Sequence, residues 1–202
     1  TTLPNSPVLA AANGPTGGAI TNLVQDPANP NRLSFNFAMA DSDDFSFFQV
    51  GAGYFEDLDG DGDIDEDNDG LADLFIGTPM DLDASVAMAF DLDEGDKLKI
   101  EFVDNRGRKA DFYVVGSATA GLRNYAFALS GVNIPADFDI NNIAFINGVV
   151  TLANMGASGT VIAQINGLDY IASTTETAFN PATLTTLPNS PVLAAANGPT
   201  GG

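Results

Sequence analysis

Cysteine, histidine and tryptophan are all absent from this 202-residue chain. Without cysteine there is no disulfide, no thiol nucleophile and no thiolate-bound zinc or iron–sulfur cluster. Without histidine the usual general base and the usual transition-metal ligand are missing, and every Ser–His arrangement is excluded. Positive charge is scarce: seven Lys and Arg stand against 27 Asp and Glu, a net charge of −20. Nucleic acid needs a basic footprint, so it is not an expected partner. The same deficit argues against docking to an anionic bilayer. No apolar run is long enough to cross one, and no membrane insertion is expected. What remains for chemistry is carboxylates, a few Lys and Arg, and four Tyr. Hydrophobic residues make up 45% of the chain, enough to build a core.

The first 18 residues, TTLPNSPVLAAANGPTGG, return letter for letter as residues 185–202. Such an identity points to a parent that repeats every 184 residues, from Thr1 to Thr185. The expected organisation is an inter-repeat connector over 1–18, a repeat unit over 19–184, and a copy of the connector over 185–202 that starts the next unit. Pro4, Pro7 and Pro15 favour extended backbone. One short strand is expected there, at Val8–Ala12.

The rest of the chain alternates with a period near two. Phe35, Phe37 and Met39 share one side of a strand, as do Val86, Met88 and Phe90, and Leu98, Ile100 and Phe102. Ala110, Phe112 and Val114, then Tyr125, Phe127 and Leu129, then Val161, Ala163 and Ile165 repeat the pattern. This marks half-buried strands. KLKIEFV–DNRGR–KADFYVV reads as a hairpin with Asn105 and Gly107 in its turn. No window shows a capped helical period. About ten strands are expected, near 19–24, 33–39, 45–50, 74–76, 84–91, 97–103, 110–116, 123–130, 143–152 and 160–172. The fold class is all-β: a two-sheet antiparallel β-sandwich, jelly-roll-like, with an inserted acidic loop.

Of the 27 acids, 21 lie between Asp41 and Asp104. The densest stretch, DLDGDGDIDEDNDGLAD at 57–73, holds two abutting copies of D-x-D-x-D-G-x-x-D. The first uses Asp57, Asp59, Asp61, Gly62 and Asp65. The second uses Asp65, Asp67, Asp69, Gly70 and Asp73. Calcium takes about six to eight oxygens, and carboxylates at positions 1, 3 and 5 of a tight loop converge on one centre. Glycine at position 6 permits the sharp turn. Magnesium, which keeps several waters, suits the pattern less. The candidate ligands are therefore Asp57, Asp59, Asp61, Asp63, Asp65, Asp67, Asp69 and Asp73, and the expected cofactor is Ca2+.

This stretch resembles the calcium loops of thrombospondin type 3 repeats and of related bacterial surface proteins. The resemblance covers roughly residues 57–73. It implies one ion held by Asp57, Asp59, Asp61 and Asp65, and a second by Asp65, Asp67, Asp69 and Asp73. The family's cysteines are missing. The first copy also resembles an EF-hand loop, with Ile64 at the eighth position but Asn68 where that family has glutamate. The smaller clusters Asp41–Asp44, Asp81–Asp83 and Asp91–Asp96 read as polar turns that have ligands to lend. Arg106, Arg108 and Lys109 sit on the hairpin turn, either solvated or meeting an acidic face of a neighbouring unit.

No carboxylate pair is marked out for glycosidic hydrolysis, so no enzyme is expected. The expected role is structural: a calcium-stiffened repeat unit of a long extracellular surface protein or filament, with neighbouring copies of itself as partners in a homopolymeric or tandem array. The alternative is an adhesive, carbohydrate-binding module with structural calcium. In that case glycans would be partners, stacking on Tyr54, Tyr113, Tyr125 or Tyr170.

Overall fold

Alternating apolar residues build nearly every element. The computed structural model describes residues 8–13, 18–25, 32–51, 53–59, 64–65, 67, 69–82, 85–118, 121–132, 134–165 and 171–172. In chain order the strands are β1 (Val8–Asn13), β2 (Ala19–Gln25), β3 (Arg32–Ala38), β4 (Phe45–Gly51), β5 (Gly53–Phe55), β6 (Phe75–Gly77), β7 (Ser85–Asp91), β8 (Lys97–Asp104), β9 (Lys109–Val115), β10 (Arg123–Ala128), β11 (Ile143–Thr151), β12 (Ser158–Ile165) and β13 (Ile171–Ala172). A single helical turn, α1 (Leu152–Met155), follows β11.

Eleven of these strands form two sheets. One runs β13-β1-β4-β11-β8-β9 and the other β10-β7-β12-β3-β2. Pairing is antiparallel throughout except for β1 with β13. The sheets pack face to face as the expected all-β sandwich. Phe48, Leu98, Ile100 and Phe102 from one inner face meet Phe35, Met88, Phe90 and Val161 from the other. The rings of Phe48 and Phe90 lie 6.0 Å apart, and those of Phe102 and Phe127 lie 5.6 Å apart. Aromatic pairs at such distances add attraction beyond the buried area itself.

Four strands differ from the alternation. The strand expected over 160–172 starts at Ser158 and ends at Ile165, with β13 resuming at Ile171 and residues 166–170 outside the described set. Strand β5 is only three residues long, too short for a period to show. Strands β4 and β11 are buried on both faces rather than one. Their outer faces carry a second apolar cluster of Phe45, Phe47 and Val149. Beside it runs one row in register, Gln49–Asn147–Glu101–Asp111. Glu101 is 1% exposed and is held by the Lys99 ammonium, which also reaches Asp111. Burial works against the charge on Lys99, but hydrogen bonds to Glu101 and Asp111 outweigh it and raise its pKa. The side-chain amide of Gln49 is buried with neither atom hydrogen-bonded.

Residues 8–13 of the duplicated segment are part of the sandwich. They pair with β4 over six positions, from Val8 opposite Gly51 to Asn13 opposite Ser46. The second copy, 185–202, lies outside the described residues.

Gly148 lets the central strands pack. A Cβ there would lie 1.9 Å from the ring of Phe48. Gly148→Ala should therefore lower stability by about 1–3 kcal/mol, the usual range for overpacking a core. Chemical denaturation reads this, and an unchanged midpoint would contradict the packing.

Candidate metal centre

The acidic loop hangs from a small ribbon. Strands β5 and β6 pair over three residues, and the Glu56 N–H donates to the Leu74 carbonyl at 2.9 Å to extend the clamp. Phe55, Phe75 and Phe145 meet edge to face, with centroids 5.5–5.9 Å apart. Two apolar residues of the loop join this group. Ala72 is buried with Val103, Ala144 and Phe145, and Ile64 packs against them. The D-x-D-x-D-G spacing thus leaves room for inward-facing residues that fix the loop to the outer side of the six-stranded sheet.

Local hydrogen bonds shape the second acidic motif. The Asp65 carboxylate accepts from the N–H of Asp69 at 2.9 Å and of Gly70 at 2.6 Å. Asp67 accepts from the Asp69 N–H, and Asp69 from the Leu71 N–H. These are Asx turns in succession. Gly70 has φ 83°, the left-handed conformation its place in the motif requires. The Asp73 N–H closes the loop on the Ile64 carbonyl at 3.0 Å.

This folding brings Asp65, Asp67 and Asp73 together, with one oxygen of each within 4.8 Å of the others. Asp69 is drawn aside, its Oδ2 accepting from Arg106 at 3.2 Å. Asp57 is half-buried and Asp59 exposed, and neither belongs to the group of three. Asp61 and Asp63 lie outside the described residues. The donor set is all oxygen and all anionic, which suits a hard divalent cation.

The β8–β9 turn fastens the loop to the sandwich. The Arg106 guanidinium donates to the Ala72 carbonyl at 3.1 Å as well as to Asp69, and the Ala72 N–H donates back to the Arg106 carbonyl at 2.9 Å. Arg108 meets Asp104 and Asp137. Both arginines of the turn therefore engage carboxylates of their own chain. Asp104 organises the turn. It is 0% exposed and accepts four hydrogen bonds: from the N–H groups of Arg106, Arg108 and Asp139, and from the Arg108 guanidinium at 2.7 Å.

Two of the smaller acidic clusters, Asp41–Asp44 and Asp91–Asp96, make turns. Asp44 accepts from the N–H of Ala40 and Asp41, and Asp91 from the N–H of Gly121. Burial, then the charge of Asp93, raises the pKa of Asp96. Of the tyrosines, Tyr113 is 58% exposed on β9, Tyr54 is half-buried, and Tyr125 bonds the Val115 carbonyl and packs on Phe90. Tyr170 lies outside the described residues.

No protein-family model and no curated protein matches the chain. Among solved structures it is similar to a family 11 carbohydrate-binding module of a Clostridium thermocellum cellulosomal cellulase. That match has a TM-score of 0.43 and 10% identity, and covers 77% of this chain and 84% of that one. It is also similar to a bacteriophage CBA120 tailspike domain, at TM-score 0.37 and 12% identity, covering 79% of this chain and 18% of that one. An exo-beta-agarase matches at TM-score 0.39 and 14% identity, covering 87% of this chain and 24% of that one. Likenesses this loose assign no function.

Asp104→Ala should cost about 3–5 kcal/mol, because it strands three N–H groups at a buried site and leaves the Arg108 guanidinium with Asp137 alone. It should also open residues 64–73 to protease, since the turn that holds them loses its organiser. Thermal unfolding and limited proteolysis read the two effects. A variant as stable and as resistant as the parent would contradict this role.

Proposed function

We propose that this chain is a calcium-stiffened β-sandwich unit of a long extracellular surface array or filament, joined end to end through the repeated 18-residue segment. The observation that carries the reading is the convergence of Asp65, Asp67 and Asp73 on a loop fastened to the sandwich by Arg106 and Ala72. Three neighbouring carboxylates repel one another unless a cation lies among them. Asp65, Asp67 and Asp73 would hold that ion, with loop carbonyls and water completing its oxygen shell. Asp57, Asp59, Asp61 and Asp63 are the candidates for a second ion. Extracellular calcium modules bind at about 10⁻⁴–10⁻³ M, which matches a stiffening role outside the cell. The role is structural rather than enzymatic.

At ten times the dissociation constant each ion should add about 1.4 kcal/mol of stability. The melting temperature should therefore rise with calcium and fall in chelator, and Asp65→Ala should abolish most of the response. Chelation should expose the loop to protease while the β signature in circular dichroism persists, because the sandwich core needs no ion. Equal melting temperatures in chelator and in excess calcium would overturn the reading.

A second reading is a glycan-binding module. The exposed ring of Tyr113, flanked across the strands by Lys99, offers a stacking surface with a polar neighbour. Glycan-array binding lost in Tyr113→Ala would favour it.

A further inference from the structure

Residues 1–18 contain all of β1, and β2 begins at Ala19 in the opposite sheet. The last residue of the segment, Gly18, is itself constrained. Its φ is 88°, and a Cβ there would lie 2.6 Å from the Phe45 carbonyl oxygen. The repeated residues include the whole of this strand: 192–197 reads VLAAAN just as β1 does, and Gly202 corresponds to Gly18.

The place β1 occupies lies near a sheet edge. On one side it pairs with β4 over six positions. On the other, among the described residues, it pairs with β13 over Val8 and Leu9. Any backbone pairing that 8–13 makes with β4 is open on equal terms to 192–197, since the residues are identical. These 202 residues thus carry the strand sequence twice and β4 once. The 19 residues between Ala172 and Val192 can span at most roughly 60–70 Å. That is ample to reach a second molecule of this size.

We infer that the place beside β4, filled here by β1, is also a docking site for residues 185–202 of a second copy of this chain. The incoming strand takes the register of β1, with Ala194 opposite Gln49, and displaces the resident strand. Open sheet edges are suited to such strand addition. The inference rests on the array reading only in supposing that copies meet. It does not depend on calcium, so the test is run in chelator and in calcium alike, and failure of the calcium reading leaves the inference standing.

The chain has no cysteine, so an engineered pair reports the contact without background. Residues directly opposite on antiparallel strands have Cα atoms about 4.5–5.5 Å apart, within disulfide range. Gln49→Cys replaces an amide that makes no hydrogen bond. Combined with Ala10→Cys, it should give a disulfide within one chain, which establishes the register. Combined with Ala194→Cys, it should give disulfide-linked dimers and longer ladders on a non-reducing gel. The double variant Ala10→Pro/Ala11→Pro cripples the resident strand. It should strengthen association roughly tenfold or more in sedimentation, because a competitor tethered at about millimolar effective concentration is removed. Adding Ala194→Pro/Ala195→Pro should return the chain to monomer with a lowered melting temperature. Only intramolecular disulfide from the Gln49→Cys/Ala194→Cys chain, or none, would overturn the inference. So would a monomeric Ala10→Pro/Ala11→Pro chain. Absence of the Gln49→Cys/Ala10→Cys disulfide would remove its premise.

Discussion

Asp104 is a carboxylate with no contact to solvent, and one end of the sandwich is built around it. A buried charge is tolerated only when it is fully paired and hydrogen-bonded. Asp104 meets that condition by drawing in three backbone N–H groups and the Arg108 guanidinium. Two of those N–H groups close the β8–β9 turn, and the third belongs to Asp139, on the loop before β11. The Asn105 N–H adds a bond to the Asn142 carbonyl at 2.8 Å. One carboxylate thereby fixes where Arg106 stands, and Arg106 fixes the loop that gathers Asp65, Asp67 and Asp73. The chain of dependence runs from a single buried charge to a turn, from the turn to a loop, and from the loop to a candidate metal centre.

This arrangement divides the labour between core and loop. The sandwich is held by aromatic and aliphatic inner faces. The loop contributes few apolar contacts, chiefly Ile64 and Ala72. Segments with few buried contacts open at low free energy. A cation acting on the loop would stiffen the end of a unit without being needed to fold it.

Much of the fold is legible in the residues themselves. Phe35 and Phe37, Leu98 and Ile100, and Met88 and Phe90 each alternate with polar or small neighbours, and each lies on the face that alternation assigns. The second acidic motif is legible for a similar reason: its spacing and Gly70 encode a local structure. The rest depends on contacts distant in sequence. Asp69 and Arg106 are 37 residues apart, and Asp104 and Asp139 are 35 apart. The D-N-R-G-R turn announces an aspartate that accepts N–H groups two and four residues on. Nothing local to it announces that the carboxylate is buried. Strands β4 and β11 mislead in the opposite sense. Phe45, Phe47 and Phe48 follow no simple alternation, because both faces of the strand are covered.

The central claim is that metal centre and turn are coupled, and amide hydrogen exchange tests it most directly. The account predicts that calcium slows exchange at Asp69, Gly70 and Leu71 and also, through Ala72, at Arg106 and Arg108 of the turn, with the inner strands unchanged. Protection confined to the loop, or no change on adding calcium, would contradict it.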